Sequence, residues 1–132
     1  MIYQRKIRLE ETDATGIVFF SKLQSLGVEC IEFFLQNKMF SVKKILNSGY
    51  AFPIVSCNME YLSYVKLEDE VKIKLICEKI GKSSVEFKLS FFVQSTNVAN
   101  MKLVQVYISQ ITEKSTPLPE DLKEVLKTLI PF

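Results

Sequence analysis

The chain has 132 residues, no histidine, a net charge of +2 and 48% hydrophobic residues. Lacking histidine, it has no Ser-His-Asp or Cys-His catalysis, no histidine metal site and no histidine-dependent dehydration, which leaves acid–base work to carboxylates, lysine, tyrosine or water. Its size and apolar content suit a single domain over residues 1–132, and its dispersed charges, with no basic arm, argue against a nucleic-acid partner. Tyr3 to Leu9 alternates loosely and is predicted to be a strand, broken by the turn Glu10-Glu11-Thr12-Asp13.

From Ser21 to about Asn37 the period lengthens. Leu23, Leu26, Gly27, Cys30, Ile31, Phe34 and Leu35 recur at three- and four-residue steps, with Lys22, Gln24, Ser25, Glu29, Glu32 and Gln36 on the remaining surface. This predicts a long central helix with Ser21 as N-cap and Asn37-Lys38 as its stop. Val42 to Leu46 reads as a short second helix ended by Asn47-Ser48-Gly49.

The pattern then turns to β. Pro53 to Tyr64 is predicted as the first long strand, with Pro53 at its start where a missing N–H does least harm. Val71, Ile73, Leu75 and Cys77 alternate with Lys72, Lys74 and Ile76, and Val85, Phe87, Leu89 and Phe91 alternate with Glu86, Lys88 and Ser90. Val104, Val106 and Ile108 continue the series, so antiparallel strands with one polar face are expected. Loops are placed at Lys66–Asp69, Gly81–Ser83 and Thr96–Asn100, and a final amphipathic helix at about Pro119 to Leu129. The fold class is α+β, with a sheet of about five antiparallel strands around one long helix.

Cys30, Cys57 and Cys77 are far apart and lack C-x-x-C spacing, so they read as buried, reduced thiols rather than a zinc site or disulfides. With no signal-peptide apolar region and no stretch long enough to span a bilayer, a cytoplasmic location is expected.

The most informative stretch runs from Glu11 to Phe20, because it sets the carboxylate of Asp13 in a glycine-containing turn just ahead of a helix start. A carboxylate can attack an acyl carbon or activate water, and a helix N-terminus offers free N–H groups to an oxyanion. The same Asp-x-x-Gly pattern also closes ordinary turns. Similarly, Glu29 and Glu32 are second-carboxylate candidates that also fit a solvated helix face, and Phe19, Phe20, Phe33 and Phe34 suit either an aromatic acyl pocket or plain core.

Thr12 to Phe20, reading Thr-Asp-Ala-Thr-Gly-Ile-Val-Phe-Phe, resembles the signature of the 4-hydroxybenzoyl-CoA thioesterase family of hot-dog proteins, which includes acyl-CoA thioesterases and 1,4-dihydroxy-2-naphthoyl-CoA hydrolases. Glu29 with Phe34-Leu35, Pro53-Ile54-Val55, Asp69 in a turn and Pro117-Leu118-Pro119 extend the resemblance over most of the chain. It implies a hot-dog fold and hydrolysis of an acyl-CoA thioester, with an aromatic acyl group favoured because Phe20 stands where many short-chain members carry histidine. By resemblance, Asp13 is the catalytic aspartate, the Phe20 N–H polarises the thioester carbonyl, Gly16 lets the loop approach the substrate, and Lys82 faces the phosphates of coenzyme A. No metal and no separate cofactor are implied, coenzyme A being part of the substrate, and a homodimer or homotetramer is expected. Lys22-Leu23 replaces the family's Asn-Tyr, and Glu68 replaces the glycine of its Gly-Asp turn. The reading that competes with catalysis is a non-catalytic hot-dog protein that binds an acyl-CoA or an acyl carrier protein.

Overall fold

The computed structural model describes residues 1–131; Phe132, the last residue of the expected 1–132 domain, lies outside them. Three long strands form a meander: β4 (Glu70–Ile80), β5 (Ser84–Val93) and β6 (Thr96–Val106). On one side β1 (Ile2–Lys6) pairs with β4, and on the other β3 (Ile54–Tyr61) pairs with β6, giving an antiparallel sheet of order β1-β4-β5-β6-β3. The alternation read in the sequence for β4 and β5 becomes rows across the inner face. Ile73 pairs with Phe91, which pairs with Ala99; Leu75, Leu89 and Met101 form the next row, and Cys77, Phe87 and Leu103 the one after. All nine of these side chains are at most 1% exposed. In β6 the parity is opposite to the one expected: pairing with β5 turns Ala99, Met101, Leu103 and Gln105 inward, while Val104, opposite Glu86, and Val106 are only half-buried and Ile108 lies beyond the strand.

The helix α1 (Phe20–Asn37) lies on that face, and its buried residues are Leu23, Leu26, Gly27, Cys30, Ile31, Phe34 and Leu35, the stripe read from periodicity. They join one core cluster with the strand rows and with Leu122, Leu126 and Leu129 of the C-terminal segment. Truncating a ring such as Phe91 at the centre of this core would cost about 3–5 kcal/mol. Two short strands, β2 (Tyr50–Ala51) and β7 (Ile108–Ser109), pair separately, while α2 (Val42–Asn47) and α3 (Glu120–Lys127) complete the chain. This is the α+β hot-dog layout that the resemblance implied.

Several local expectations are corrected. The first strand stops at Lys6, and Leu9–Glu11 forms a 3-10 turn. The first long strand occupies Ile54–Tyr61 rather than Pro53 to Tyr64. Ser21 does not cap α1; the helix begins at Phe20, and its N-cap is Phe19, which offers no side-chain acceptor. Thr96–Asn100 is not a loop but the start of β6, because Val93 pairs with Thr96 and only Gln94 and Ser95 turn. The asparagine that suggested a loop holds a strand irregularity instead: the Asn97 side-chain amide donates to Phe91 O at 3.0 Å and Ala99 O at 3.2 Å, where the register shifts. Cys30 and Cys77 are buried as expected, but Cys57 is exposed on β3. Nor does β3 have a single polar face: most of its residues are exposed on both faces, Ile54 and Val55 among them.

Candidate active site

Between the 3-10 turn and α1 the chain folds into a tight hairpin. Thr12 bridges Val18, the Asp13 N–H donates to Ile17 O at 2.8 Å, and the Phe19 N–H donates to Glu11 O at 3.1 Å. Gly16 closes the tip with φ +80, a left-handed conformation that costs other residues steric strain. Its N–H returns to Asp13 O at 3.1 Å. The hairpin rests on the segment before β4, with Val18 N–H donating to Val65 O and Leu67 N–H to Gly16 O, both at 2.8 Å. That segment turns at Glu68, which keeps a φ of +69 where the family has glycine.

This hairpin fixes one oxygen of Asp13 and leaves the other free. Oδ1 accepts from Thr15 N–H at 2.8 Å, Thr15 Oγ1 at 2.6 Å and Ile17 N–H at 3.2 Å. Oδ2 makes no hydrogen bond among the described residues. The Thr15 hydroxyl, then the Thr15 and Ile17 N–H groups, hold the Asp13 carboxyl below its ordinary pKa, so it stays ionised. The result is an oriented carboxylate with one anchored oxygen and one available oxygen.

The second half of the site is the start of α1. The Phe20 N–H is the first of the helix and has no intrahelical acceptor, as helix geometry requires. From Ile17, which faces Asp13, to Phe20 is three residues, at most about 10 Å of chain. The first turn is pinned from the sheet: Tyr61 at the end of β3 donates its hydroxyl to Phe20 O at 2.7 Å, and the two rings meet edge-on at 6.3 Å. Beyond this point an open groove of about 610 Å³ runs between α1 and β3, lined by Ser21, Gln24, Ser25 and Val28 on the helix and by Ile54 and Cys57 on the strand. Phe19, Phe20 and Tyr61 are exposed at this start of the helix, and Tyr64 is exposed three residues beyond the end of β3.

The four phenylalanines do not form one pocket. Phe34 is in the core, and Phe33 meets Tyr3 of β1 at 5.0 Å with the rings tilted by 48°, about 20 Å along the helix from Phe20. Asp13, Gly16 and Phe20 therefore come together, but Lys82 does not join them within one chain. It sits in the turn after β4, whose 11 residues at about 3.3 Å each separate it from the hairpin. Glu29 and Glu32, read as second-carboxylate candidates or solvated charges, both border the groove, and Glu29 is held there by Arg5 Nε at 2.7 Å and by the Tyr3 hydroxyl at 2.6 Å. The same Arg5 guanidinium forks onto Glu11, with Nη1 to Oε1 at 2.9 Å. Sequence reasoning missed this cluster, although the period of β1 puts Tyr3 and Arg5 on the core side, where an arginine must find partners. It also missed Tyr61, which carries no motif.

The model of the thioesterase-like superfamily matches residues 7–126. The chain belongs to that superfamily. It is a thioester hydrolase by family, and among its relatives is the 1,4-dihydroxy-2-naphthoyl-CoA hydrolase of Rippkaea orientalis, 31% identical over 132 aligned positions covering 96% of this chain and 94% of that protein. The enzyme of the same name from Microcystis aeruginosa is 29% identical over 127 residues, 96% of this chain and 92% of its own. In architecture the thioesterase resembles the crystal structure of Slr0204, a 1,4-dihydroxy-2-naphthoyl-CoA thioesterase from Synechocystis, with a TM-score of 0.87 at 21% identity over 97% of this chain and 96% of that one. Among the described residues, no helix is long and apolar enough to cross a membrane.

Proposed function

We propose that this thioesterase hydrolyses an aromatic acyl-CoA, of the kind named for its naphthoyl-CoA hydrolase relatives, with Asp13 as the catalytic carboxylate. The observation that carries the reading is the division of labour within that side chain, in which Oδ1 is anchored by three donors while Oδ2 stays free and ionised. Oδ2 either attacks the thioester carbonyl, forming an enzyme anhydride and releasing the coenzyme A thiolate, or removes a proton from a water that attacks it. Water then opens the anhydride in the first route; both end in free acid and thiol. As the carbonyl becomes tetrahedral, its oxygen takes the Phe20 N–H, a donor type whose loss typically costs about 2.7–4 kcal/mol of transition-state stabilisation. Coenzyme A enters as part of the substrate, and neither route draws on a metal or another cofactor.

The groove and the exposed rings of Phe20 and Tyr61 at the start of α1 favour an aromatic acyl group. Stacking on one such ring is worth about 0.5–1.5 kcal/mol, a preference of roughly two- to twelvefold. The unpaired edge of β3, exposed on both faces, favours a dimer made by pairing β3 with β3 of a second copy. A two-fold axis there sets the Ile54 end of one strand beside the Tyr61 end of the other. Lys82 lies at the Ile54 end, because Val85 pairs with Gln105 and Gln105 with Ile54. In such a dimer the turn carrying Lys82 of the second copy lies at the same end of the joined sheets as Asp13 of the first, an arrangement that suits a role for it at the coenzyme A phosphates. Cytoplasmic location is part of the same reading, since coenzyme A thioesters are intracellular metabolites.

Free-thiol release from benzoyl-, dihydroxynaphthoyl-, acetyl- and butyryl-CoA tests the proposal. Higher kcat/KM for the aromatic esters is the expected result. A preference for short aliphatic esters overturns the aromatic pocket, and no thiol from any ester leaves a binding module instead.

A further inference from the structure

The cluster around Arg5 is the most heavily bonded set of charges among the described residues, and neither route of hydrolysis uses it directly. Its guanidinium lies between two carboxylates on two different elements. Nη1 and Nη2 fork onto Glu11 at 2.9 and 2.5 Å, while Nε donates to Glu29 Oε2 at 2.7 Å. The side chains of Arg5 and Glu11 are only 14% and 11% exposed, so solvent screens this pair poorly.

Each partner leads to one half of the site. Glu11 stands two residues before Asp13; its side chain also accepts from the Arg8 N–H at 2.8 Å, and its carbonyl takes the Phe19 N–H at 3.1 Å. Glu11 thus holds both legs of the hairpin, the one that carries Asp13 and the one that delivers Phe20 to the helix. Glu29 belongs to α1 itself and is held a second time by the Tyr3 hydroxyl. A planar fork that meets two carboxylates at once fixes angle as well as distance, which a lysine ammonium does not do.

We propose that Arg5 is a positioning residue for hydrolysis: bound to Glu11 and Glu29 together, it sets the Asp13 hairpin relative to the N-terminus of α1, so that Oδ2 and the Phe20 N–H address the same carbonyl. The inference rests on the roles given above to Asp13 and Phe20. Misplacing a reacting group by about 1 Å can cost about a hundredfold in rate. Removing the clamp therefore slows the chemical step more than it weakens ground-state binding.

The test uses the full chain and the variants Arg5→Met, Arg5→Lys and Glu11→Gln, with steady-state hydrolysis of an aryl-CoA and amide hydrogen exchange measured on each. Arg5→Met should lower kcat by about thirtyfold or more while KM stays within about threefold, and Arg5→Lys should recover less than about a third of the lost rate. Exchange at the amides of residues 13–20 should rise while the β5 amides keep their protection. Glu11→Gln retains the oxygen that accepts from Arg8 and loses one bond to Arg5, so it should shift both readouts in the same direction by a smaller amount. If Arg5→Met does not fold, Glu11→Gln decides alone. Unchanged kcat with only a lowered melting temperature, full rescue by lysine, or unchanged hairpin exchange overturns the proposal. If the wild-type protein releases no thiol, the hydrolytic reading has failed, and the exchange data still decide whether Arg5 sets the hairpin.

Discussion

Two glycines separate what the hairpin does for stability from what it does for chemistry. Gly16 at the hairpin tip has φ +80 and Gly49 after α2 has φ +93, and a Cβ built on either meets nothing within 4 Å. Alanine at either position therefore suffers no clash, only the backbone penalty of the left-handed region, about 1–2 kcal/mol. At about 2.1 cal/mol/K per residue, 132 residues give an unfolding entropy of about 280 cal/mol/K, so each substitution should lower the melting temperature by about 4–7 °C. Activity should part them. Relaxing Gly16 disturbs its return bond to Asp13 O and the Ile17 N–H that Asp13 Oδ1 accepts, so Gly16→Ala should lower kcat on an aryl-CoA by about tenfold or more. Gly49→Ala should leave kcat alone. Gly16→Asn should be milder on both counts, because asparagine tolerates this conformation. Calorimetry and thiol release on the three variants settle it; equal loss of kcat at both glycines, or none at Gly16, refutes the role given to the hairpin.

Two further outcomes follow from the same geometry. Hydrogen bonding from Arg5 holds the Glu11 carboxyl below its ordinary pKa of 4.5, so its stabilisation is complete above that value and is lost as pH falls through the lower, folded-state value. Melting temperatures measured from pH 7 to pH 3 should therefore hold steady to about pH 5 and then decline, less steeply in Arg5→Met; identical slopes would contradict the pairing. The free edge of β3 should make the protein at least a dimer in solution, and lysine at exposed Val55 should weaken it; a wild-type monomer by light scattering at micromolar concentration contradicts the edge pairing.

Periodicity made the core legible. The stripe from Leu23 to Leu35 and the alternating runs in β4 and β5 are burial patterns, and burial is the strongest signal a sequence carries. Asp13 and Gly16 were legible as turn chemistry beside a helix, and their match to a family signature gave that turn a task. Boundaries were harder, because they depend on partners distant in sequence. Ser21 has the composition of an N-cap, yet the Phe19 N–H bound to Glu11 O sets the cap two residues earlier, at Phe19. Asn97 has the composition of a loop, yet its amide stabilises a register shift inside β6. Glu68 adopts φ +69 where the sequence lacks the expected glycine, so the turn survives without its usual residue. The Arg5 cluster joins residues 5, 11 and 29, and no local pattern announces a contact of that kind.

The most direct test of the account is Asp13→Asn, compared with wild type on an aryl-CoA ester by thiol release. The amide oxygen of asparagine can still accept from Thr15 and Ile17, so the hairpin keeps its bonds, and only the free oxygen becomes an NH₂ group that can neither attack nor take a proton. The account predicts a kcat/KM lower by about a thousandfold with an unchanged melting profile. A variant that keeps more than about a tenth of wild-type kcat/KM would contradict it, because a general acid–base group in the transition state contributes far more than that.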